Sequence, residues 1–584
     1  MTEQGPMPEA DAVLASLTEE LLRLYPENAA YLGIDKDDRA ALKMCLTDRS
    51  PRGVDDLCGH VENTLNSLQR IDRTAASPAM RLDLDVVETA YGYAREGLKF
   101  GFGEVACLNV NLSHRSTPYV VAQNTGAFIE VPEFLDSQHG IADGEEADAY
   151  IGRLHAYGTA LVGEAERIRA DSDAGIVLPD FLLRKTIAQL KNVRGLSACD
   201  WQVVTSLARR TGLDLAKHIA VAERIVDGEL KPALDRQIEA LENAMPAATA
   251  DAGVWKLAEG EHYYDWALRA STTTAVRAEE VHAMGAEQLR SLHAHMDPLL
   301  RKHGLTQGSV PDRMAAMATD PANLYANDDE GRAALLDYID DRLAYIRTRM
   351  PDAFDTLVPG NVAVKRISPA IEHGAPDGYA GPGSLDGSNA GIYYINLRDT
   401  AIWPRHALPT LTFHEAIPGH IWQGEYANQL PLARSLLSFN AYSEGWALYA
   451  EQLSDELGAY EDDDLGRLGY LQSLAFRACR LVVDTGIHAM RWTREQAIDW
   501  FVANNGSPRE QVAGEVDRYC VWPAQACSYK IGHSHFGLLR ETARQRLGSK
   551  FSTKAFNDML VQSGNVPLSI LTRSTEAFVE RHLL

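Results

Sequence analysis

Cysteine is scarce in this chain, and the cysteines that occur are scattered. Seven cysteines are spread over 584 residues, and no two of them form a C-x-x-C pair. An odd, dispersed set argues against a disulfide framework, and it does not match the paired ligands of structural zinc sites. We therefore expect reduced thiols and do not expect cysteine to hold a metal.

Long apolar runs and an excess of basic residues are also missing. No run of about 18 apolar residues, the length needed to cross a membrane, occurs, and residues 1–26 lack the basic and apolar regions of a signal peptide. Lys and Arg number 56 against 81 Asp and Glu, a net charge of −25. Such a surface repels phosphate backbones and anionic lipids. These absences predict a cytoplasmic protein that binds neither nucleic acid nor membrane.

Most of the sequence has the apolar spacing of amphipathic helices. In residues 10–25, for example, Val13, Leu14, Leu17, Leu21 and Leu22 recur at three- and four-residue intervals. The small, polar segment 245–254 is typical of a linker. We therefore predict an N-terminal helical lobe over 1–245 and a catalytic lobe over 255–584, with the lobes packed as one body.

One segment departs from this helical pattern. Residues 359–397 contain two β-branched and aromatic stretches around a loop rich in Gly, Pro and Ser. We expect two or three short strands there. The predicted fold class is therefore mainly α, with a small β element near 360–397.

The stretch FHEAIPGHIWQ, residues 413–423, nearly matches the zinc hydrolase signature H-E-x-x-H, but its second histidine comes two positions late. On a straight helix His414 and His420 would lie about 120° and about 9 Å apart, too far to share one ion. Either the site is false or the helix is not straight. Pro418 breaks the helical ladder and Gly419 permits unusual backbone angles, so we favour a bulged or restarted turn that returns His420 toward His414.

A hydrolytic zinc ion needs three protein ligands, an open position for water and a nearby general base. Glu444, in the helical stretch 440–453, is the candidate third ligand, and Glu415 lies beside the first ligand, where it would polarise a bound water. Glu451 would support a ligating histidine from behind. The pattern predicts one zinc ion per chain.

Negative charge develops on the carbonyl oxygen during zinc hydrolysis, so a hydrogen-bond donor is expected there. The segment 518–532 offers Tyr529 as the first candidate and Tyr519 as the second. Lys530 would bind the terminal carboxylate of a peptide, or it is an ordinary solvated lysine.

Further candidates lie on a helix and on a strand. Arg480, Asp484 and His488 share one helical face, where they would orient an imidazole toward substrate or lock two helices together. The stretch GIYYINL, residues 391–397, would form a cleft edge that pairs with an extended peptide, with Tyr393 on this strand.

HEAIPGHIWQ and YSEGWALYAE resemble the signatures of a large bacterial group, domain-of-unknown-function family 885. Further stretches that look like family blocks are 260–274, 281–285, 391–397, 482–498 and 556–571. One departure is Ala524, where a glycine is expected. The resemblance implies a gluzincin-like metallopeptidase with His414, His420 and Glu444 as zinc ligands and Glu415 as general base. It also implies a large, two-lobed, zincin-like helical fold with a deep cleft that admits short or unfolded peptides.

We therefore expect a zinc-dependent hydrolase, foremost a peptidase that cleaves short peptides. Two alternatives stay open. One is a zinc amidohydrolase acting on a non-peptide amide or ester. The other is a non-catalytic binding protein with a structural metal, although structural zinc is normally closed by four ligands.

Overall fold

The computed structural model describes residues 8–112, 115–210, 212–367, 369, 372, 377–381, 383, 385 and 390–584. The chain divides into two compact units. The first comprises Met1–Trp266 with Cys520–Trp522, and the second comprises Ala267–Tyr519 with Pro523–Leu584. The described part is mainly helical with one small sheet, so the predicted fold class is confirmed at that level.

The described part of the first unit is built mainly of helices. They are α1 (Pro8–Leu24), α2 (Glu27–Tyr31), α3 (Pro51–Arg70), α4 (Pro78–Leu98), α5 (Ala127–Ser137), α6 (Gly144–Asp173), α7 (Asp180–Gly195), α8 (Gln202–Ala208), α9 (Ala216–Ile225) and α10 (Lys231–Ala244), with α11 (Gly260–Thr272) continuing into the second unit. Serine caps and proline at the first position begin α3 and α4, where the Ser50 and Ser77 hydroxyls accept from backbone amides. The stripe predicted for α1 is confirmed, because Leu14, Leu17 and Leu21 are buried.

The second unit contains the candidate site and most of the longer helices. They are α12 (Ala278–Lys302), α13 (Val310–Thr319), α14 (Asp329–Ala353), α15 (Leu408–Glu415), α16 (His420–Ala427), α17 (Leu432–Ser435), α18 (Asn440–Glu456), α19 (Asp464–His488), α20 (Arg494–Asn505), α21 (Arg509–Val521), α22 (Gln525–Leu547), α23 (Thr553–Ser563) and α24 (Leu568–Leu583). Among the described helices of either unit, none is long and apolar enough to cross a membrane.

Two close helix pairs form the frame around the site. Helix α12 packs along α19, and α18 packs along α22. A Cβ on Gly445 of α18 would lie 2.6 Å from the Cα of Gly532 in α22, so glycine at this contact allows the two backbones to touch. Part of the core lies where α12, α13 and α19 meet, and it is formed by Met296, Leu300, Val310, Met314, Met317 and Leu468.

The predicted β element is a three-stranded sheet of β1 (Val362–Arg366), β2 (Gly378–Gly381) and β3 (Gly391–Ile395) in the order β1-β3-β2. Strand β3 pairs parallel with β1 and antiparallel with β2. The prediction that 391–397 forms a free cleft edge is therefore wrong. Both sides of β3 are already hydrogen-bonded, and Tyr393 on this strand is fully buried.

Candidate metal centre

The helix that carries the first histidine ends directly after it, and a new helix begins at the second. Helix α15 ends at Glu415. The next residue, Ala416, has non-helical backbone angles, with φ −105° and ψ −96°. The Ile417–Pro418 peptide bond is cis. Helix α16 then begins at His420, and the Trp422 amide donates to the Ala416 carbonyl at 3.1 Å across the interruption. The restarted turn predicted from Pro418 and Gly419 is confirmed.

Gly419 is required by space within this turn. A Cβ at this position would lie 1.8 Å from the carbonyl oxygen of His414 and 2.4 Å from that of Phe413. The indole nitrogen of Trp446 donates to the Pro418 carbonyl at 3.0 Å and thereby attaches the turn to α18. Glu444 lies two residues before this tryptophan, so one contact fixes the turn relative to the third candidate ligand.

The three candidate ligands converge. One ligand atom from each of His414, His420 and Glu444 lies within 4.8 Å of the others. Glu444 Oε2 lies 3.5 Å from His414 Nε2 and 3.4 Å from His420 Nε2. The two imidazole rings are nearly perpendicular, with 88° between their planes. The interruption between α15 and α16 therefore brings both rings to one carboxylate, although residues six apart would lie too far from each other on a straight helix.

The donor set fits a zinc ion. Ligand atoms about 2.0–2.1 Å from a tetrahedral zinc lie about 3.4 Å from one another, and the distances of 3.4 and 3.5 Å from Glu444 Oε2 to the two imidazole nitrogens agree with this value. Glu444 Oε2 is buried and, within the described part of the chain, has no hydrogen-bond partner. An orphaned buried carboxylate oxygen is costly. A cation bound between this oxygen and the two imidazoles would satisfy it.

The charged groups around the site also favour a cation between the three candidate ligands. Burial opposes ionisation of Glu444, yet His420 and His414 lower its pKa well below the ordinary value. Burial likewise disfavours a charged His414, yet its contacts with Glu444 and Glu451 raise its pKa to about 9. In the absence of a metal, these two carboxylates therefore stabilise a proton on the His414 imidazole.

Glu415 has a different environment from Glu444. It is buried next to the first ligand, and burial raises its pKa, a shift that the positive charge of His414 and His420 opposes. The charge of nearby Glu444 raises this pKa further. A carboxylate whose protonated form is favoured in this way suits a group that accepts a proton and later releases it.

A hydrogen-bonded chain lies behind His414. The Nδ1 atom of His414 donates to Glu451 Oε1 at 2.8 Å, which leaves Nε2 facing Glu444. Ser473 Oγ donates to Glu451 Oε2 at 2.8 Å, and Arg477 Nη1 donates to Ser473 Oγ at 2.8 Å. Glu451 is completely buried. It therefore occupies the position predicted for it, where a carboxylate fixes the tautomer and direction of a ligating histidine.

Glu451→Gln is expected to weaken zinc binding about 10- to 100-fold, because the amide loses the charge that makes His414 a stronger ligand. Competition with a chelating indicator would measure the affinity. Glu456→Gln changes the same charge at the exposed end of the same helix and is expected to bind zinc like the wild type. Equal affinities for all three proteins would contradict the role of Glu451.

The family described as "Bacterial protein of unknown function (DUF885)" matches residues 26–574. The chain belongs to this family. A crystal structure of a protein from Colwellia psychrerythraea, described as a putative lipoprotein, is 30% identical with a TM-score of 0.93 and matches over 98% of this chain and 99% of that one. A second structure, from Shewanella oneidensis and described as a putative lipoprotein of unknown function, is 16% identical with a TM-score of 0.71, over 97% and 99% of the chains, and shows the fold alone.

No curated protein matches the chain. The resemblance to this family, predicted from the two motifs, is confirmed. The activity that the resemblance implies stays a prediction, because the family is described as one of unknown function. These two structures are described as those of putative lipoproteins, and the cytoplasmic location of this chain also stays a prediction.

The structure explains how Ala524 is accommodated at a position where the family pattern has glycine. Ala524 has a φ of +68°, in the left-handed region where glycine is favoured. Its amide donates to both carboxylate oxygens of Asp484 at 3.1 Å. The buried Asp484 therefore holds the alanine in a conformation that a glycine would adopt more readily.

The residues Arg480, Asp484 and His488 connect α19 with the segment that follows α20. Arg480 Nε donates to the Tyr519 hydroxyl at 3.1 Å, and His488 Nε2 donates to the Tyr519 carbonyl at 3.0 Å. His488 is buried, and burial lowers its pKa to about 4. These contacts correspond to the helix-locking alternative for Asp484 and His488.

The remaining predicted residues differ in their access to the site. Burial, and after it the charge of Glu444, raise the pKa of half-buried Tyr529. This tyrosine lies on α22 three residues before Gly532, whose backbone contacts Gly445 beside Glu444, so it lies near the metal centre. Tyr519 is buried, and its hydroxyl donates to Glu515 Oε2 at 2.6 Å. Lys530 is only 4% exposed and donates to His533 Nδ1 at 3.0 Å, so the solvated-lysine alternative is wrong.

Ser473 and Arg477 were not predicted from the sequence. They precede Arg480 by seven and three residues, so they continue the helical face that Arg480, Asp484 and His488 already marked. The signal was therefore present in the spacing. The spacing does not, however, indicate that this helical face contacts Glu451.

Proposed function

We propose that the chain is a zinc-dependent hydrolase that cleaves short peptides and that one zinc ion is held by His414, His420 and Glu444. The observation that carries this proposal is the approach of two imidazole Nε2 atoms to one orphaned, buried carboxylate oxygen at 3.4 and 3.5 Å. The neighbouring buried carboxylate of Glu415 supplies the base that hydrolysis needs.

The number of donors supports a catalytic rather than a structural metal. Structural zinc sites normally have four protein ligands, whereas catalytic sites have three and leave one position for water. Within the described residues, the group of metal-ligating side chains here has three members. An open position beside a buried carboxylate is the arrangement expected of a hydrolase.

The residues have separate tasks in the proposed reaction. Bound zinc would lower the pKa of a water molecule and polarise the scissile carbonyl. Glu415 accepts a proton from the attacking water and passes it to the leaving amine. Tyr529 donates a hydrogen bond to the carbonyl oxygen as negative charge develops there. Glu451 keeps His414 in the tautomer whose Nε2 faces the site.

The finer fold assignment belongs to the same proposal. We infer a gluzincin-like metallopeptidase with a two-lobed, zincin-like fold and a deep cleft that restricts access to short or unfolded peptides. Support comes from the HEAIPGH and YSEGW motifs, from the family match over residues 26–574 and from the helical frame of the second unit.

The test is metal-dependent cleavage of peptides. Protein purified without added metal is expected to contain close to one zinc per chain by elemental analysis and to cleave members of a short-peptide library. Removal of zinc with a chelator should abolish cleavage, and one equivalent of zinc should restore it. A parallel panel of non-peptide amides and esters provides the comparison. Cleavage of that panel alone would identify an amidohydrolase, and zinc without any cleavage would favour a binding protein.

A further inference from the structure

A cluster next to the candidate metal centre contains more positive than negative charge. The carboxylate oxygen Glu515 Oε2 accepts from Arg480 Nη2 at 2.9 Å, from Arg518 Nη2 at 2.9 Å and from the Tyr519 hydroxyl at 2.6 Å. Two guanidinium groups thus share one carboxylate. The surplus is notable in a chain whose net charge is −25. We name Arg480, Arg518, Glu515 and Tyr519 the arginine cluster.

One nitrogen of Arg480 lacks a hydrogen-bond partner among the residues that the structure describes. Its side chain is 9% exposed, its Nε donates to Tyr519 and its Nη2 donates to Glu515. The third nitrogen, Nη1, is buried and makes no hydrogen bond within the described part of the chain. A buried, charged donor left unpaired is costly. The cost is offset if an anion binds there.

The position of Arg480 places this nitrogen close to the proposed reaction. Its guanidinium carbon lies 4.4 Å from the ring centroid of Tyr529, the proposed oxyanion donor. Tyr529 lies on α22 three residues before Gly532, and the backbone of Gly532 contacts that of Gly445, the residue next to Glu444. An extended peptide advances about 3.5 Å per residue. An anion bound by Arg480 would therefore belong to a residue near the scissile bond.

The chemistry of the cluster favours a carboxylate. Nη1 of Arg480 carries two N–H groups, and a charge-assisted hydrogen bond from guanidinium to a carboxylate is roughly twice as strong as a hydrogen bond between neutral groups. Lys530, which the sequence suggested for this role, already donates to His533 and is buried. Every peptide with a free carboxyl end has a carboxylate there, whichever side chains it carries.

We propose that Arg480, held by Glu515 and accompanied by Arg518, binds the free α-carboxylate of the substrate's last residue, so that the enzyme shortens peptides from the carboxyl end. This inference rests on the proposed function, because it assigns the substrate class of the same site.

The test compares matched substrates in the zinc-loaded full chain. N-acetylated tetrapeptides with randomised residues are prepared as free acids and as carboxyl-terminal amides. Wild type is expected to cleave the acids at least about tenfold faster than the amides. Arg480→Gln should lower kcat/KM for the acids about 10- to 100-fold more than for the amides, the effect of losing a charged hydrogen bond. Arg480→Lys should recover part of the preference.

A matched control separates recognition from folding. Arg540 is also buried, with a side chain 11% exposed and paired with Glu456, but it lies eleven residues beyond Tyr529 on α22. Arg540→Gln should keep the wild-type ratio of acid to amide cleavage. Zinc content and thermal unfolding are measured for every variant. The ratio is informative even if Arg480→Gln is partly unfolded, because loss of folded protein lowers both rates equally.

The outcomes distinguish this inference from the proposed function. Equal cleavage of acids and amides by wild type would overturn carboxylate recognition and leave the hydrolase intact. If no peptide is cleaved, the proposed function fails, and calorimetry with the same peptides decides the inference. Tighter binding of acids than amides that disappears in Arg480→Gln would support it, and equal binding would overturn it.

Discussion

Glu415→Gln is expected to reduce peptide cleavage about 100- to 10,000-fold while zinc content stays near one per chain. Glutamine keeps the size of the side chain but cannot accept a proton from water. Glu415 is not one of the three groups that converge on the proposed metal, so the ligand set stays complete. Single-turnover cleavage and elemental analysis of the same preparation would measure both quantities.

The control for this variant lies ten residues later. The carboxylate of Glu425 on α16 accepts from the Gly360 and Asn361 amides at 2.8 and 2.6 Å and takes no part in the proposed reaction. Glu425→Gln removes the same charge and is expected to cleave peptides within about threefold of the wild-type rate, because the amide oxygen still accepts one bond. Substantial cleavage by Glu415→Gln with zinc bound would show that another group is the base.

Local chemistry explains which parts of the structure were predictable. The helices follow from three- and four-residue apolar spacing, as at Leu14, Leu17 and Leu21. The interrupted helix follows from Pro418, which cannot donate to the ladder, and from Gly419 beside it. Because each of these signals lies within a few residues of its consequence, the sequence alone was sufficient to predict them.

Contacts between distant segments were not predictable in the same way. The stretch 391–395 has a strand pattern, but whether a strand is central or at an edge depends on partners elsewhere in the chain. Here one partner strand precedes it by 29 residues, as in Val362 with Gly391, and the other precedes it by 11 to 17 residues, as in Gly381 with Ile392. Lys530 resembles any surface lysine in sequence, yet the packing of α22 on α18 buries it. The sequence specifies the face of a helix but not the element that covers it.

Helix-helix packing also explains why the candidate site was only partly predictable. His414, Glu415 and His420 lie within seven residues, so their association could be predicted from one motif. Glu444 required a second motif. The arginine cluster unites α19 with α21, and the residues at 480 and 515 meet only in the folded chain. Recognition residues of this kind appear once the helices are assembled.

Gly419→Ala is expected to remove zinc from the protein as completely as His420→Ala does and to destabilise the fold by about 3 kcal/mol. The new methyl group would lie 1.8 Å from the His414 carbonyl oxygen, a separation that backbone atoms cannot tolerate. The turn must then move, and either His414 or His420 loses its position near Glu444. Elemental analysis and chemical denaturation of the metal-free proteins would measure the two effects separately.

Gly424→Ala gives this test a matched control five residues away. Gly424 lies in α16, and a Cβ there would meet nothing within 4 Å. Alanine at this helical position is expected to keep zinc and to stabilise the protein by up to about 1 kcal/mol. If Gly419→Ala retained a full complement of zinc, the turn would not be what delivers the late histidine to the metal. If Gly419→Ala loses zinc and Gly424→Ala keeps it, helix propensity is not the cause. The result would show that the turn must have room for a glycine at 419 if His414 and His420, six residues apart, are to bind one ion.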